Sequence, residues 1–246
     1  MKREAKRQPR ELKPYTDLSD LENIHDGEKC FVLGAGPSMA FLDLSEIHNH
    51  VVISTNSSAM LMPWNKGSAD KRYWISNDVL CMQWSYFWKN VIRAHCNKFV
   101  RTSWRKYADK IKHHDFRYFS PRMSEKIPLQ RLGEKLCCVS SVPTAIELAI
   151  LTGCKDIYLL GVDHKMIHGN SHYWQFWPKE KWPQRKEKGK DFRPEQKHQI
   201  KIFRQNIVVY EALKELADRK NRQIYNCSNG SVVDVFLKTT LDVALQ

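Results

Sequence analysis

The chain has 246 residues, 42% of them hydrophobic and 11% aromatic, and a formal net charge of +13. This composition suits a soluble globular protein, one large domain or a domain with an insertion. No apolar run approaches the ~20 residues that cross a bilayer as a helix. The charge sits mainly in two segments: residues 1–14 carry a basic surplus of four and residues 165–198 a surplus of five. Such segments suit phosphorylated ligands, anionic membrane surfaces or nucleic acid.

Residues 1–16 have a basic start with no apolar h-region behind it, so they read as a solvated basic arm and not as a secretory signal. A short helix is expected over about Asp17–His25, and then the first strand, Lys29–Leu33. It runs into Gly34-Ala35-Gly36-Pro37-Ser38, a tight turn in which two glycines tolerate positive φ and leave room for close approach of a ligand. Further strands are expected at Val51–Thr55, ending on Asn56, and at Arg72–Ile75, ending on Ser76-Asn77-Asp78. Lys98–Thr102 and Phe116–Phe119 follow as a fourth and a short fifth. Helix-compatible stretches lie between them at Asp43–His48, Ser57–Leu61, Val79–Arg93 and Trp104–Lys112.

Ser140-Ser141-Val142-Pro143 opens a helix over Thr144–Thr152, with serine as N-cap and proline in the first turn. Gly153 ends it, and Asp156–Leu160 reads as a buried strand closing on Gly161-Val162-Asp163. A long helix is expected from about Pro194 to Lys220, then a strand at Gln223–Asn226 and a C-terminal helix. Apolar strands alternating with helices predict an α/β, Rossmann-like, mostly parallel sheet with helices on both faces. It would be formed by residues 17–164 and 199–246. Residues 165–198 have no periodicity and are rich in Lys, Trp and Pro; they are expected to be a lid insertion.

In such a sheet the carboxyl edge collects the Gly34–Ser38 turn, Asn56, Asn77, Asp78, Ser140, Ser141 and Asp163. The glycine turn and the serine-capped helix offer backbone N–H groups to phosphate. Asn56 and Asn77 offer donors and acceptors to a base or ribose, and Asp163 accepts from ribose hydroxyls or holds a cation. His164, His168 and His172 recur every four residues, but Gly169-Asn170-Ser171 breaks any helix there, so a metal stripe is not expected. His172 is the first choice for a catalytic base and His198 the second. Seven scattered cysteines without a CxxC pair point to a reducing, cytoplasmic setting.

Taken in order, GAGPS, the strand ending in Asn56, WISND, SSVPTAIELAILTGCKDIYLLGVD, NSHY and YNCSNGS resemble the bacterial CMP-sialic-acid-dependent sialyltransferases of the lipooligosaccharide type. They are also similar to the related motility accessory factor and 6-hydroxymethylpterin pyrophosphokinase-like proteins. The resemblance implies a nucleotide pocket lined by Gly34, Gly36, Pro37 and Ser38. It implies nucleotide or donor-sugar contacts from Asn56 and Asn77, phosphate contacts from Ser140 and Ser141, and a ribose or metal contact from Asp163. Three positions depart from the sialyltransferase pattern: Ala35 stands for asparagine, Lys165 for tyrosine, and Phe176 for the base histidine of the lid. Lys165 would stabilise a leaving phosphate by charge.

The expected activity is therefore transfer of a glycosyl group from a CMP-sugar-like donor to an acceptor hydroxyl. One alternative is an ATP-dependent diphosphokinase with Mg²⁺ on Asp78 and Asp163. Another is a nucleic-acid-binding module using the basic arm and the Trp/Lys lid. A dehydrogenase is disfavoured because the turn lacks a third glycine at the required spacing.

Overall fold

The computed structural model describes residues 16–62, 64–111, 114–122, 131–185 and 196–246, with the backbone alone for 196–199. Among the described residues, nine parallel strands form one sheet: β1 Lys29–Leu33, β2 Val51–Thr55, β3 Arg72–Ser76, β4 Asn97–Arg101, β5 Phe116–Arg122, β6 Lys135–Cys137, β7 Asp156–Leu160, β8 Gln223–Asn226 and β9 Leu237–Lys238. Their order is β6-β5-β4-β3-β2-β1-β7-β8-β9. The chain steps outward from β1 to one edge, then returns across the sheet to place β7 on the other flank of β1. Connections leaving β1 and β7 therefore diverge, which opens a crevice at their carboxyl ends. This is the α/β, Rossmann-like architecture expected.

Period-two burial explains why these segments are strands. Cys30, Val32, Val51, Ile53, Tyr73, Ile75, Phe99, Ile157 and Leu159 face one side, where helices α2 (Ser141–Leu151) and α3 (Gln196–Arg219) cover them. Phe31, Leu33, Val52, Tyr158 and Leu160 face the other, and Trp74 and Val100 continue that face against Phe87 and Trp104. Burial on both faces gives the unbroken apolar runs of a parallel sheet.

The expected helices on that second face form differently. Asp43–His48, Ser57–Leu61, Val79–Arg93 and Trp104–Lys112 become short 3₁₀ turns at Ile47–Asn49, Asn56–Leu61, Val79–Gln83 and Thr102–Tyr107, one π turn at Phe87–Val91, and the single-turn helix α1, Ala108–Ile111. The segment at Asp17–His25 likewise keeps only one 3₁₀ turn, Ser19–Leu21. Two of them carry large rings that seat against the sheet: Phe87 and Trp104 meet each other and Trp74 of β3 with centroids 5.7–6.2 Å apart. Packing those rings overrides helical propensity. Strands β6 and β9, of three and two residues, are too short to give a periodic signal. The C-terminal helix is α4, Leu241–Leu245.

Helix α2 is buried on nearly every side and carries Glu147, fully buried. Its carboxylate pairs with Arg122 of β5 and accepts the Cys137 N–H at 2.5 Å. This pair locks the crossover helix to the sheet edge and so fixes where the amino end of α2 points. No helix among the described residues is long and apolar enough to cross a membrane. The seven cysteines carry free thiols.

Candidate active site at the carboxyl edge of the sheet

The glycine turn is shaped by its neighbour strand. Gly34 N–H donates to Leu160 O at 2.7 Å and Gly36 N–H to Gly161 O at 2.9 Å, so β1–β7 pairing continues into both turns. A Cβ on Gly34 would lie 2.4 Å from Gly161 O, and one on Gly36 would lie 2.0 Å from Asp163 Oδ2. Gly36 has φ −66°, so positive φ is not what demands glycine there. This corrects the expectation: the missing Cβ atoms admit the β7 turn and Asp163, and only what remains faces a ligand. Gly161, at φ +69°, is the turn residue in the left-handed region.

Ala35, Gly36 and Pro37 line a cleft of about 530 Å³, whereas Gly34 and Ser38 lie behind that wall. Ser38 is buried, its N–H donates to Asp163 Oδ2 at 3.1 Å, and its hydroxyl has no partner. Asn56, Asn77 and Asp78 enter the cleft from the ends of β2 and β3, Ser140 and Ser141 from the start of α2, and Asp163 and Lys165 from the end of β7. The structure thus brings these sequence-selected residues to one hollow.

Several of them are committed internally. Asn56 adopts φ +48°, a conformation asparagine tolerates. Its Oδ1 accepts from Ser76 Oγ at 2.8 Å and Ser141 Oγ at 3.1 Å, so its amide N–H₂ is the group left for a ligand. Ser141 Oγ also accepts the Asn77 N–H, and Ser140 Oγ donates to Asn206 Oδ1 at 2.9 Å. The serine hydroxyls are therefore spent on the scaffold, and an anion would be met by the free backbone amides at the amino end of α2. Asn77 Nδ2 donates to Thr144 at 2.9 Å, while its Oδ1 and Asp163 Oδ1 are buried acceptors with no partner. Burial raises the Asp163 carboxyl above its ordinary range, against the pull of neighbouring Ser38 and the Lys165 charge. Asp78, at the rim, is raised by desolvation against the Leu80 N–H bond and the charges of Arg185 and Arg101.

His172 lines the cleft with Nδ1 2.9 Å from Ser171 Oγ, and burial pushes its imidazole down to about 4. His198 falls in the first turn of α3, and its side chain lies outside the described residues. Residues 1–15 of the basic arm and 186–195 of the expected lid also lie outside them. The part of the insertion that is described is docked on the body: Tyr173 N–H donates to Ala35 O, its hydroxyl donates to Ser57 O at 2.6 Å, and Trp84 pairs with Arg185 in an antiparallel bridge. Trp174 is buried and Trp182 Nε1–H donates to Trp177 O, so these tryptophans pack inward and do not form a stacking platform for nucleic-acid bases.

Sequence reasoning missed Arg101, His164 and the α3 side chains Phe203, Asn206 and Tyr210, which close the cleft. Arg101 ends a strand, as the chosen residues do, and Asn206 is a polar interruption of the apolar stripe of α3; both are signals in hindsight. His164, at φ +52°, stacks on Phe203 with centroids 4.5 Å apart. Its Nε2 lies 3.3 Å from the Tyr210 hydroxyl and 3.5 Å from Asn206 Nδ2. With two donors at Nε2 the proton belongs on Nδ1, a buried donor with no partner. Among the described residues no three His, Cys, Asp or Glu side chains gather as a metal site. His164 and His172 line the cleft and His168 does not, and Asp78 and Asp163 both face it.

No protein-family model matches the sequence, and no curated protein matches it. In chain course it is similar to two Campylobacter jejuni sialyltransferases. The sialyltransferase CstII complexed with CMP-3FNeuAc aligns over 88% of each chain at 15% identity and a TM-score of 0.48. CstII complexed with cytidine-5'-monophosphate aligns over 89% of this chain and 87% of that one, at 16% identity and a TM-score of 0.47. The monofunctional alpha-2,3-sialyltransferase Cst-I aligns over 89% and 82% at 12% identity and a TM-score of 0.35.

The two cleft histidines make stability depend on pH. Burial lowers both His164 and His172 to about 4 in the folded chain, against about 6.5 unfolded. Between these values the unfolded chain binds more protons, so stability rises with pH through that window and is flat above it. The raised carboxyls of Asp163 and Asp78 act in the opposite sense, toward the acid end. Thermal melts from pH 7 to pH 5 are expected to show a falling Tm. His164→Phe, which keeps a ring on Phe203, should reduce that slope; an unchanged slope would show that His164 is not held neutral.

Proposed function

We propose that the protein is a glycosyltransferase that uses a nucleotide-sugar donor, with CMP as the leaving group and a sugar hydroxyl as acceptor. One observation carries this reading: a single cleft is lined by orphaned buried acceptors, Asn77 Oδ1 and Asp163 Oδ1, and by the amino terminus of α2, Arg101 and Lys165. Acceptors of that kind suit the amino and hydroxyl donors of a nucleoside, and the cationic groups suit its phosphate. The order of sequence motifs that resemble the sialyltransferases supports the same assignment.

In this reading the nucleoside lies on Asn77 and Asp163, and its phosphate lies on the first amides of α2. The bond from the sugar's anomeric carbon to the phosphate oxygen breaks, and its electron pair stays on that oxygen. Arg101 and Lys165 stabilise the charge that develops there. The His164 Nδ1–H donates a hydrogen bond to the same group without transferring its proton. The acceptor hydroxyl attacks the anomeric carbon and gives its proton to His172, whose imidazole is neutral across the physiological range.

The test is release of CMP from a panel of CMP-sugars, with and without divalent cation. Metal-independent CMP release is expected, and His172→Ala should lower kcat by a factor of about 10² or more while leaving the donor KM within a few-fold. Mg²⁺-dependent release of AMP from ATP, with no CMP release, would replace this reading with the diphosphokinase one.

A further inference from the structure

A smaller hollow of about 120 Å³ opens off the cleft and has no task in the donor chemistry. Asn56, Asp78, Leu80 and His172 border both spaces. Beyond them the hollow is walled by Trp84, Trp174 and Tyr86, with Arg185 and Pro183 arriving from the insertion. None of its walls comes from Ser140–Val142, Arg101 or Lys165, which would hold phosphate. It meets the cleft at His172, the residue assigned to take the acceptor's proton.

The walls are built to stay in place. The Trp84 and Trp174 rings stand 6.2 Å apart at 49°, and the Arg185 guanidinium lies 6.0 Å from the Trp84 ring centroid. Gln83 Oε1 accepts from Arg185 Nε at 3.0 Å and Nη2 at 2.7 Å. Ser85 N–H donates to Gln184 O at 2.7 Å, and Gln184 N–H donates to Ser85 Oγ at 2.9 Å. The Tyr86 hydroxyl is occupied by Cys81 Sγ at 2.9 Å, which leaves its ring as apolar wall. Aromatic faces flanked by a carboxylate, an amide and a guanidinium match the two sides of a pyranose: C–H bonds on its faces and hydroxyls on its rim.

We propose that this side pocket is the acceptor subsite and takes one terminal hexopyranose ring. Trp84 stacks on the sugar face, Asp78 accepts from its rim hydroxyls, and one hydroxyl is presented across the boundary to His172. This rests on the transferase reading for its role in catalysis, while the binding site itself stands apart from it.

Tryptophan emission of the full chain, titrated with the methyl glycosides of glucose, galactose and N-acetylglucosamine, tests it. At least one glycoside is expected to quench emission saturably, with the same or tighter Kd when CMP is present at saturation. Trp84→Ala should weaken that glycoside at least tenfold. Absence of quenching by every glycoside, or displacement of the glycoside by CMP in the wild-type chain, would overturn the proposal without recourse to a variant. Glycoside quenching in a chain that binds no CMP would keep the pocket and remove the transferase reading.

Discussion

Gly36→Ala is expected to cost at least 100-fold in nucleotide affinity and about 2–4 kcal/mol in stability, because two fixed groups occupy the space its Cβ needs. One is the Asp163 carboxylate, which would be 2.0 Å from the new atom; the other is Gly161 O, at 2.5 Å. Neither retreats easily. Asp163 is held by the Ser38 N–H, and Gly161 O accepts the Gly36 N–H itself. Relief requires the β1 turn to part from the β7 turn, and the cleft is made where those turns meet. Gly133→Ala is the matched control, since nothing lies within 4 Å of a Cβ there, and it should shift stability by less than about 0.5 kcal/mol. Nucleotide titration with thermal melts of both variants checks this. Equal behaviour would mean that the turns are not locked together.

Glu147→Ala should be the most destabilising single change on the crossover helix. The fully buried carboxylate holds Arg122 and the Cys137 N–H. Removing it takes the carboxylate from a guanidinium that is itself largely buried, with an expected loss of about 3–5 kcal/mol. Replacing both partners with apolar residues of similar volume, Arg122→Met with Glu147→Leu, removes the uncompensated charge and should recover most of that loss. The lost Cys137 N–H partner would remain as a residual cost of about 1–3 kcal/mol. Urea unfolding of the single and double variants measures the coupling. Additive effects would show that the two side chains do not act as a pair.

The parts of this molecule legible in its sequence are those where one local rule decides. β1, β2, β7 and β8 have the expected boundaries because each is a short apolar run ended by Gly, Asn or Asp. The residues at their carboxyl ends were legible for the same reason: a parallel sheet places every strand end on one edge. The second face was not legible, since its short 3₁₀ and π turns follow from how Trp74, Phe87 and Trp104 pack, a contact among residues up to 30 positions apart. The division of labour within the site was also hidden. Ser141 looks like a phosphate ligand in sequence, yet its hydroxyl orients Asn56. The same limit kept the cleft role of His164 out of view, because its donor nitrogen is set by Asn206 and Tyr210 from a helix more than 40 residues away.

Equilibrium titration of the full chain with CMP, cytidine and inorganic phosphate bears most directly on the claim that one cleft joins a nucleoside-binding wall to a phosphate-binding end. One CMP per chain should bind, at least tenfold more tightly than cytidine or phosphate alone, and Arg101→Ala should reduce CMP affinity toward that of cytidine. Equal affinity for cytidine and CMP, or no saturable binding of CMP, would contradict it.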